Sequence, residues 1–139
     1  MAEQKRLWVE RNEDGTLEAY SSTGAHITFG RNADLFNPGE LIQIALAGCA
    51  VLSSQSPVNH TLDTAAPLRA EISGVYNKEE NRYDSFSETV TTDASQYSLT
   101  DDDAEQLKKR LEAFIDKQCT VARTCNHGAP VDITVQVKH

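Results

Sequence analysis

The sequence has little positive charge, few cysteines and no apolar stretch near its N-terminus. It contains 13 Lys and Arg against 21 Asp and Glu, which gives a formal net charge of −8. A nucleic-acid-binding surface needs a basic patch, and anionic lipid headgroups repel an acidic chain. We therefore expect neither nucleic acid nor a membrane as a partner.

The N-terminal residues lack the apolar core of an export signal, because Met1 is followed by Ala, Glu, Gln, Lys and Arg. We therefore expect a cytoplasmic protein. Since the cytosol keeps thiols reduced, its three cysteines are not expected to form a disulfide framework. They are buried thiols, metal ligands or redox groups.

A chain of 139 residues is expected to form one domain, residues 1–139. Alternating polar and apolar residues predict strands, and the alternation slips between Tyr83 and Phe86, which indicates a bulge. Thr100 and the acidic residues after it predict the start of an amphipathic helix. The predicted strands are 7–10, 16–21, 26–29, 68–74, 82–92 and 131–137, with a short turn at 119–124. This order indicates an α+β domain with mostly antiparallel sheet.

The stretch from Asn37 predicts a helix with few polar residues. Asn37 is a good N-cap, Pro38 suits the first helical position, and Glu40 completes a capping box. From 41 to 52 the only strongly polar side chain is Gln43, so the helix belongs in a core or a subunit interface. A homodimer that buries it is the expectation.

The far end of this helix is expected near Pro57, which should end or kink it and leave residues 56–67 irregular. The apolar run itself ends in Ser53, Ser54 and Gln55, and we expect it to be too short to span a bilayer. Cys49 lies within the run. It is either a small buried hydrophobic residue or a reactive thiol.

Two separated motifs carry a resemblance to a known family. Asn-Pro-x-Glu-Leu at 37–41 precedes a small-residue helix ending in Ala-Gly-Cys at 47–49, and Cys-Thr-Val-Ala follows at 119–122. This pattern resembles the OsmC/Ohr family over almost the whole chain. The resemblance implies an OsmC-like fold, with antiparallel sheets around a buried central helix, in an intertwined homodimer.

The resemblance also implies a thiol-dependent peroxidase that reduces organic hydroperoxides. Cys49 is then the peroxidatic thiol, which becomes a sulfenic acid, and Cys119 is the resolving thiol, which converts it into a disulfide. An external dithiol, a lipoyl group in the best-known members, restores both thiols. We expect no cofactor and no metal.

A reactive Cys49 needs a neighbouring cation. It lies about three turns into the helix, beyond the help of the helix dipole, and apolar surroundings disfavour a thiolate. In the family this cation is an arginine on the loop before the helix. Arg31 is the only arginine in that loop and Arg11 is a weaker candidate, whereas the alternative for Arg31 is a solvated loop charge.

The sequence departs from the family pattern at the carboxylate that holds this arginine. The family often has glutamate where this chain has Gly39. Glu40 is a candidate substitute, although helical geometry places it opposite Cys49 and the capping box accounts for it. Asp34 is another. A second hypothesis is therefore a non-catalytic stress-associated or small-molecule-binding protein with a degraded site.

A third hypothesis is a metal-binding protein, because Cys119, Cys125 and His127 form a partial ligand set. Their spacing matches no standard zinc pattern and a fourth ligand is missing. Alternatively, Cys125 competes with Cys49 for a disulfide with Cys119.

Overall fold

The computed structural model describes residues 5–139 and has the predicted α+β class. It contains five strands and three helices. In chain order these are β1 (Leu7–Arg11), β2 (Leu17–Ser21), β3 (His26–Phe29), α1 (Pro38–Thr61), β4 (Leu68–Asn77), β5 (Arg82–Thr92), α2 (Asp101–Gln118) and α3 (Thr120–His127). The chain divides into two compact units, Met1–Ile44 and Ala45–His139.

The first unit holds an antiparallel meander of β1, β2 and β3. Leu7 pairs with Ser21 in one ladder, and Leu17 pairs with Phe29 in the other. The predicted Asp-Gly turn is present, and Gly15 has a φ of 89°, which glycine adopts without steric cost. All three strands lie within one residue of their predicted positions.

The start of α1 is as predicted. The Oδ1 of Asn37 accepts a hydrogen bond from the backbone N–H of Glu40 at 2.8 Å. In return, the Oε1 of Glu40 accepts one from the backbone N–H of Asn37 at 3.0 Å. This reciprocal pair is a capping box, which satisfies two backbone donors at the helix end.

The far end of α1 contradicts the prediction, because the helix passes through Pro57 and ends at Thr61. Residues 56–61 are helical and not irregular. Pro57 and Val58 are both buried. Their apolar contacts offset the hydrogen bond that proline cannot donate.

The extra turn changes the conclusion about length. At 24 residues, α1 is long and apolar enough to cross a bilayer by length and composition, so the expectation that it is too short is wrong. In its most apolar stretch, 39% of the residues are buried within the chain. Core helices of soluble proteins have the same length and composition.

The second unit contains the antiparallel hairpin of β4 and β5. Val75 pairs with Ser85, whereas the next residue, Tyr76, pairs with Tyr83. Asp84 is therefore the extra residue of a bulge on β5, where the slipped alternation predicts one. Farther along the ladder, Glu88 pairs with Ile72 and so enters the half-buried face of the hairpin.

The helix after the hairpin has the predicted cap. The Oγ1 of Thr100 accepts a hydrogen bond from the backbone N–H of Asp103 at 3.0 Å, and the Asp103 side chain bonds the Thr100 N–H in return. Leu107 is buried. The predicted turn at 119–124 is a longer element, the eight-residue helix α3.

Residues 131–137 do not form the predicted strand. A strand needs a neighbour to accept and donate backbone hydrogen bonds, and within residues 5–139 the two sheets contain only β1 to β5. The alternation remains, with apolar side chains that are 79–86% exposed. These side chains belong to Val131, Ile133, Val135 and Val137.

Candidate active site

Cys119 lies at the junction of α2 and α3, where one residue leaves helical geometry. Its φ and ψ of −75° and 92° are extended, so it ends α2 and begins α3. Its N–H donates to the carbonyl of Ile115 at 2.9 Å, and its carbonyl accepts from the N–H of Arg123 at 3.0 Å. The Arg123 side chain donates to the carbonyl of Asp116 at 3.2 Å. These bonds hold the fully buried Cys119 between two helices.

Cys49 lies on α1 within the same unit. Its backbone carbonyl accepts a hydrogen bond from the Ser53 hydroxyl at 2.8 Å. Cys49 is half-buried, whereas Cys119 has no exposed surface. The two thiols are neighbours, since the Cys49 thiol is among the groups that raise the pKa of Cys119. Cys49 is thus accessible to a solute, whereas Cys119 is enclosed by the protein.

The surroundings of Cys119 favour its neutral form. Burial raises the pKa of the Cys119 thiol, and the backbone N–H of Ala122 lowers it to a smaller extent. The Cys49 thiol and the Glu88 carboxylate both raise this pKa further. In the reduced protein Cys119 is therefore a protonated thiol at neutral pH, which is a poor nucleophile until it loses its proton.

Glu88 is a member of this site that the sequence interpretation missed. Its Oε2 is buried and has no hydrogen-bond partner within residues 5–139, and burial raises the pKa of its carboxyl. The signal was in the alternation of β5. Phe86, Glu88 and Val90 share the half-buried face, so a carboxylate stands between two apolar positions.

A groove of about 980 Å³ runs between β5, α2 and α3, and Glu88 is one of the residues that line it. Its apolar side chains include Val90, Leu107 and Ile115, and Ala122 of the first turn of α3 also lines it. Charged side chains face it from the two helices. They are Lys108, Glu112 and Asp116 from α2 and Arg123 from α3, and the imidazole of His127 also lines the groove.

Arg31 and Glu40 belong to the first unit, whereas both thiols belong to the second. Arg31 is exposed on the loop after β3, and within residues 5–139 it forms no ion pair with Glu40 or Asp34. Glu40 uses its Oε1 in the capping box. Arg31 as the cation for Cys49, and Glu40 as its carboxylate partner, stay predictions.

The alternative metal set is not assembled in the described chain. Residues 5–139 contain no group of three or more His, Cys, Asp or Glu side chains placed to hold a metal ion. Cys119 is buried and Cys125 is exposed on α3. None of the three cysteines is in a disulfide.

Comparisons with known proteins identify a family and relatives of this chain. The family model for OsmC-like proteins matches residues 31–134. An uncharacterised protein of Mycobacterium tuberculosis is 33% identical over 132 residues, which cover 94% of this chain and 95% of the relative. An uncharacterised protein of Mycobacterium bovis matches to the same extent.

Solved structures share the fold at lower identity. The OsmC-like protein from Mycoplasma pneumoniae superposes with a TM-score of 0.65 at 15% identity, covering 92% of this chain and 91% of that one. The organic hydroperoxide resistance protein OhrB of Bacillus subtilis gives a TM-score of 0.52 at 13% identity, with coverages of 87% and 90%. From the family match and the shared fold, the chain belongs to the OsmC-like protein family.

Proposed function

We propose that this protein is a cytoplasmic, thiol-dependent peroxidase that reduces organic hydroperoxides, with residues 1–139 as one catalytic domain. The observation that carries the proposal is the pairing of a half-exposed Cys49 with a buried, neighbouring Cys119. The fold shared with an organic hydroperoxide resistance protein supports it. Arg31 is the proposed cation for the Cys49 thiolate.

The proposed reaction has three steps: oxidation of Cys49, formation of the disulfide with Cys119, and reduction of this disulfide. The Cys49 thiolate attacks the hydroperoxide O–O bond, so that one oxygen stays on sulfur as a sulfenic acid and the other leaves in an alcohol. The Cys119 sulfur then attacks the Cys49 sulfur, the S–O bond breaks, and water leaves. An external dithiol, such as a lipoyl group, reduces the resulting disulfide and is itself oxidised.

The experiment is thiol-dependent consumption of an alkyl hydroperoxide. The wild type should consume the hydroperoxide, and Cys49→Ser should lose this activity. Cys125→Ser is the matched control, since Cys125 is exposed and outside the thiol pair, and it should retain the wild-type rate. Equal rates for the wild type and Cys49→Ser would refute the catalytic proposal.

The second candidate is a non-catalytic member of the family with a degraded site. Gly39 favours it, because this position lacks a carboxylate and the Glu40 side chain caps α1. Gly39→Glu discriminates between the candidates. If the peroxidase proposal is right, the wild type already consumes hydroperoxide and Gly39→Glu changes that rate only slightly. If the wild type is almost inactive and Gly39→Glu raises the rate strongly, the protein is a family member whose site has lost its activity.

The proposed assembly is an intertwined homodimer. Four alternating apolar residues at 131–137 are 79–86% exposed in the single chain, and Leu52 on α1 is 67% exposed. An alternating segment without a strand partner can join a sheet of a second copy and bury this surface. We expect the mass of a dimer by light scattering, and a monomer for Ile133→Asp. A monomeric wild type would contradict the assembly.

A further inference from the structure

We propose that Glu88 accepts the proton of the Cys119 thiol when that thiol attacks Cys49. The inference rests on the proposed peroxidase function and assigns a residue to its second step. Three groups of the second unit form the arrangement: Cys49 on α1, Glu88 on β5, and Cys119 at the junction of α2 and α3.

The first observation is the unsatisfied oxygen of Glu88. Burying a polar atom without a hydrogen-bond partner is unfavourable for folding. The strand does not require a carboxylate here, because the neighbouring positions on the same face, Phe86 and Val90, are apolar. The Oε2 of Glu88 is thus a hydrogen-bond acceptor held out of water with no backbone or side-chain donor assigned to it within residues 5–139.

The second observation concerns the side chains that surround Glu88. Charged side chains of α2 and α3 face the same groove, but within residues 5–139 none of them forms an ion pair with Glu88. Ile115 and Arg123, whose backbones form hydrogen bonds with Cys119, line this groove together with Glu88. The charge of the Glu88 carboxylate also raises the pKa of the Cys119 thiol. Ala122, whose N–H also acts on the Cys119 sulfur, lines the same groove as Glu88.

The chemistry needs such a group. Cys119 is a buried thiol, and its S–H proton must leave as its sulfur attacks Cys49. Glu88 as a carboxylate takes this proton, and the protonated carboxyl gives it to the oxygen that leaves the Cys49 sulfur. That oxygen departs as water, and Glu88 returns to its starting state. A carboxyl whose pKa is raised by burial suits proton transfer at neutral pH better than an exposed one.

The experiment isolates this step without a peroxide. In a Cys125→Ser background, Cys49 is loaded as a mixed disulfide with 5-thio-2-nitrobenzoate, and the release of this coloured thiolate reports the attack by Cys119. Loss of the acceptor in Glu88→Gln should slow the release about ten-fold or more at pH 7. The difference should shrink at alkaline pH, where Cys119 ionises without help.

The direction of the change distinguishes the proposal from a purely electrostatic role. A carboxylate that only opposes the Cys119 thiolate would, when replaced, leave more thiolate and a faster release. Unchanged or faster release in Glu88→Gln therefore overturns the proposal. Glu88→Asp, which keeps a carboxylate, should recover part of the rate. Loss without any recovery would overturn the proposal in favour of a packing role for Glu88.

Glu112→Gln is the matched control, because Glu112 is an exposed carboxylate of the same groove. It should release the thiolate at the wild-type rate, and slowing equal to that of Glu88→Gln would overturn the specific role. The two proposals fail separately. A protein that releases the thiolate but never consumes hydroperoxide loses the peroxidase function, while the role of Glu88 at the thiol pair stands.

Discussion

Cys49 and Cys119 are neighbours although the whole β4–β5 hairpin and helix α2 lie between them in the sequence. Their environments differ, since Cys49 is half-buried and Cys119 is fully buried. The pKa of Cys119 is raised by burial, which keeps this thiol neutral. This asymmetry separates the two proposed roles. The accessible sulfur meets the oxidant, and the enclosed sulfur reacts only with its neighbour.

Removal of the resolving thiol should trap the first intermediate. In Cys119→Ser, one equivalent of an alkyl hydroperoxide should leave a sulfenic acid on Cys49 that persists long enough for labelling with dimedone. The wild type should show little label, because the neighbouring thiol consumes the sulfenic acid. The Cys125→Ser control should resemble the wild type. A strong label in the wild type would contradict the role of Cys119.

Arg31 should promote the reactivity of Cys49. A cation favours a reactive thiolate, so if Arg31 has the proposed role, Arg31→Gln should slow alkylation of Cys49 by iodoacetamide about ten-fold at pH 7. Arg11→Gln removes the same charge from β1 and should leave the rate unchanged. The assignment is wrong if the two variants alkylate alike, or if Arg11→Gln has the larger effect.

The capping role of Glu40 can be separated from a charge role. Glu40→Ala loses the hydrogen bond to the Asn37 N–H, and it should lower the free energy of unfolding by about 1 kcal/mol. Glu40→Gln keeps an acceptor oxygen and should lose little stability. Denaturant unfolding measures both variants. If Glu40→Gln retains stability but loses hydroperoxide activity, then the charge of Glu40 has a catalytic role beyond capping.

The half-buried carboxyl of Glu88 should make stability depend on pH. Its pKa is raised by burial, so its favourable contribution is fully present below its unfolded pKa and is lost as pH rises through the folded pKa. Relative to the wild type, Glu88→Gln should therefore gain stability from acidic to neutral pH. Thermal unfolding across this range tests the change, with Glu112→Gln as the control. A difference that stays constant with pH would contradict the raised pKa.

The sequence predicted those features that depend on local chemistry. The strands of the meander, the bulge at Asp84 and the caps at Asn37 and Thr100 follow from alternation, turn residues and side-chain acceptors a few positions away. These interactions join residues that are close to one another in the sequence. They can therefore be predicted from the pattern of residue types.

The failures involve tertiary contacts. Pro57 stays within α1 because it is buried, and residues 131–137 lack a strand because no neighbour pairs with them within residues 5–139. Glu88 was missed because its importance comes from its position near Cys119, which no local pattern encodes. The cysteine pair was found only through two motifs that resemble a family.

The most direct test of the proposed function is the identity of the disulfide after one turnover. The reduced protein is mixed with one equivalent of an alkyl hydroperoxide, alkylated, digested and analysed by mass spectrometry. The account predicts a cross-linked pair of peptides that joins Cys49 to Cys119. Both cysteines recovered as alkylated thiols, or a disulfide between Cys119 and Cys125, would contradict it.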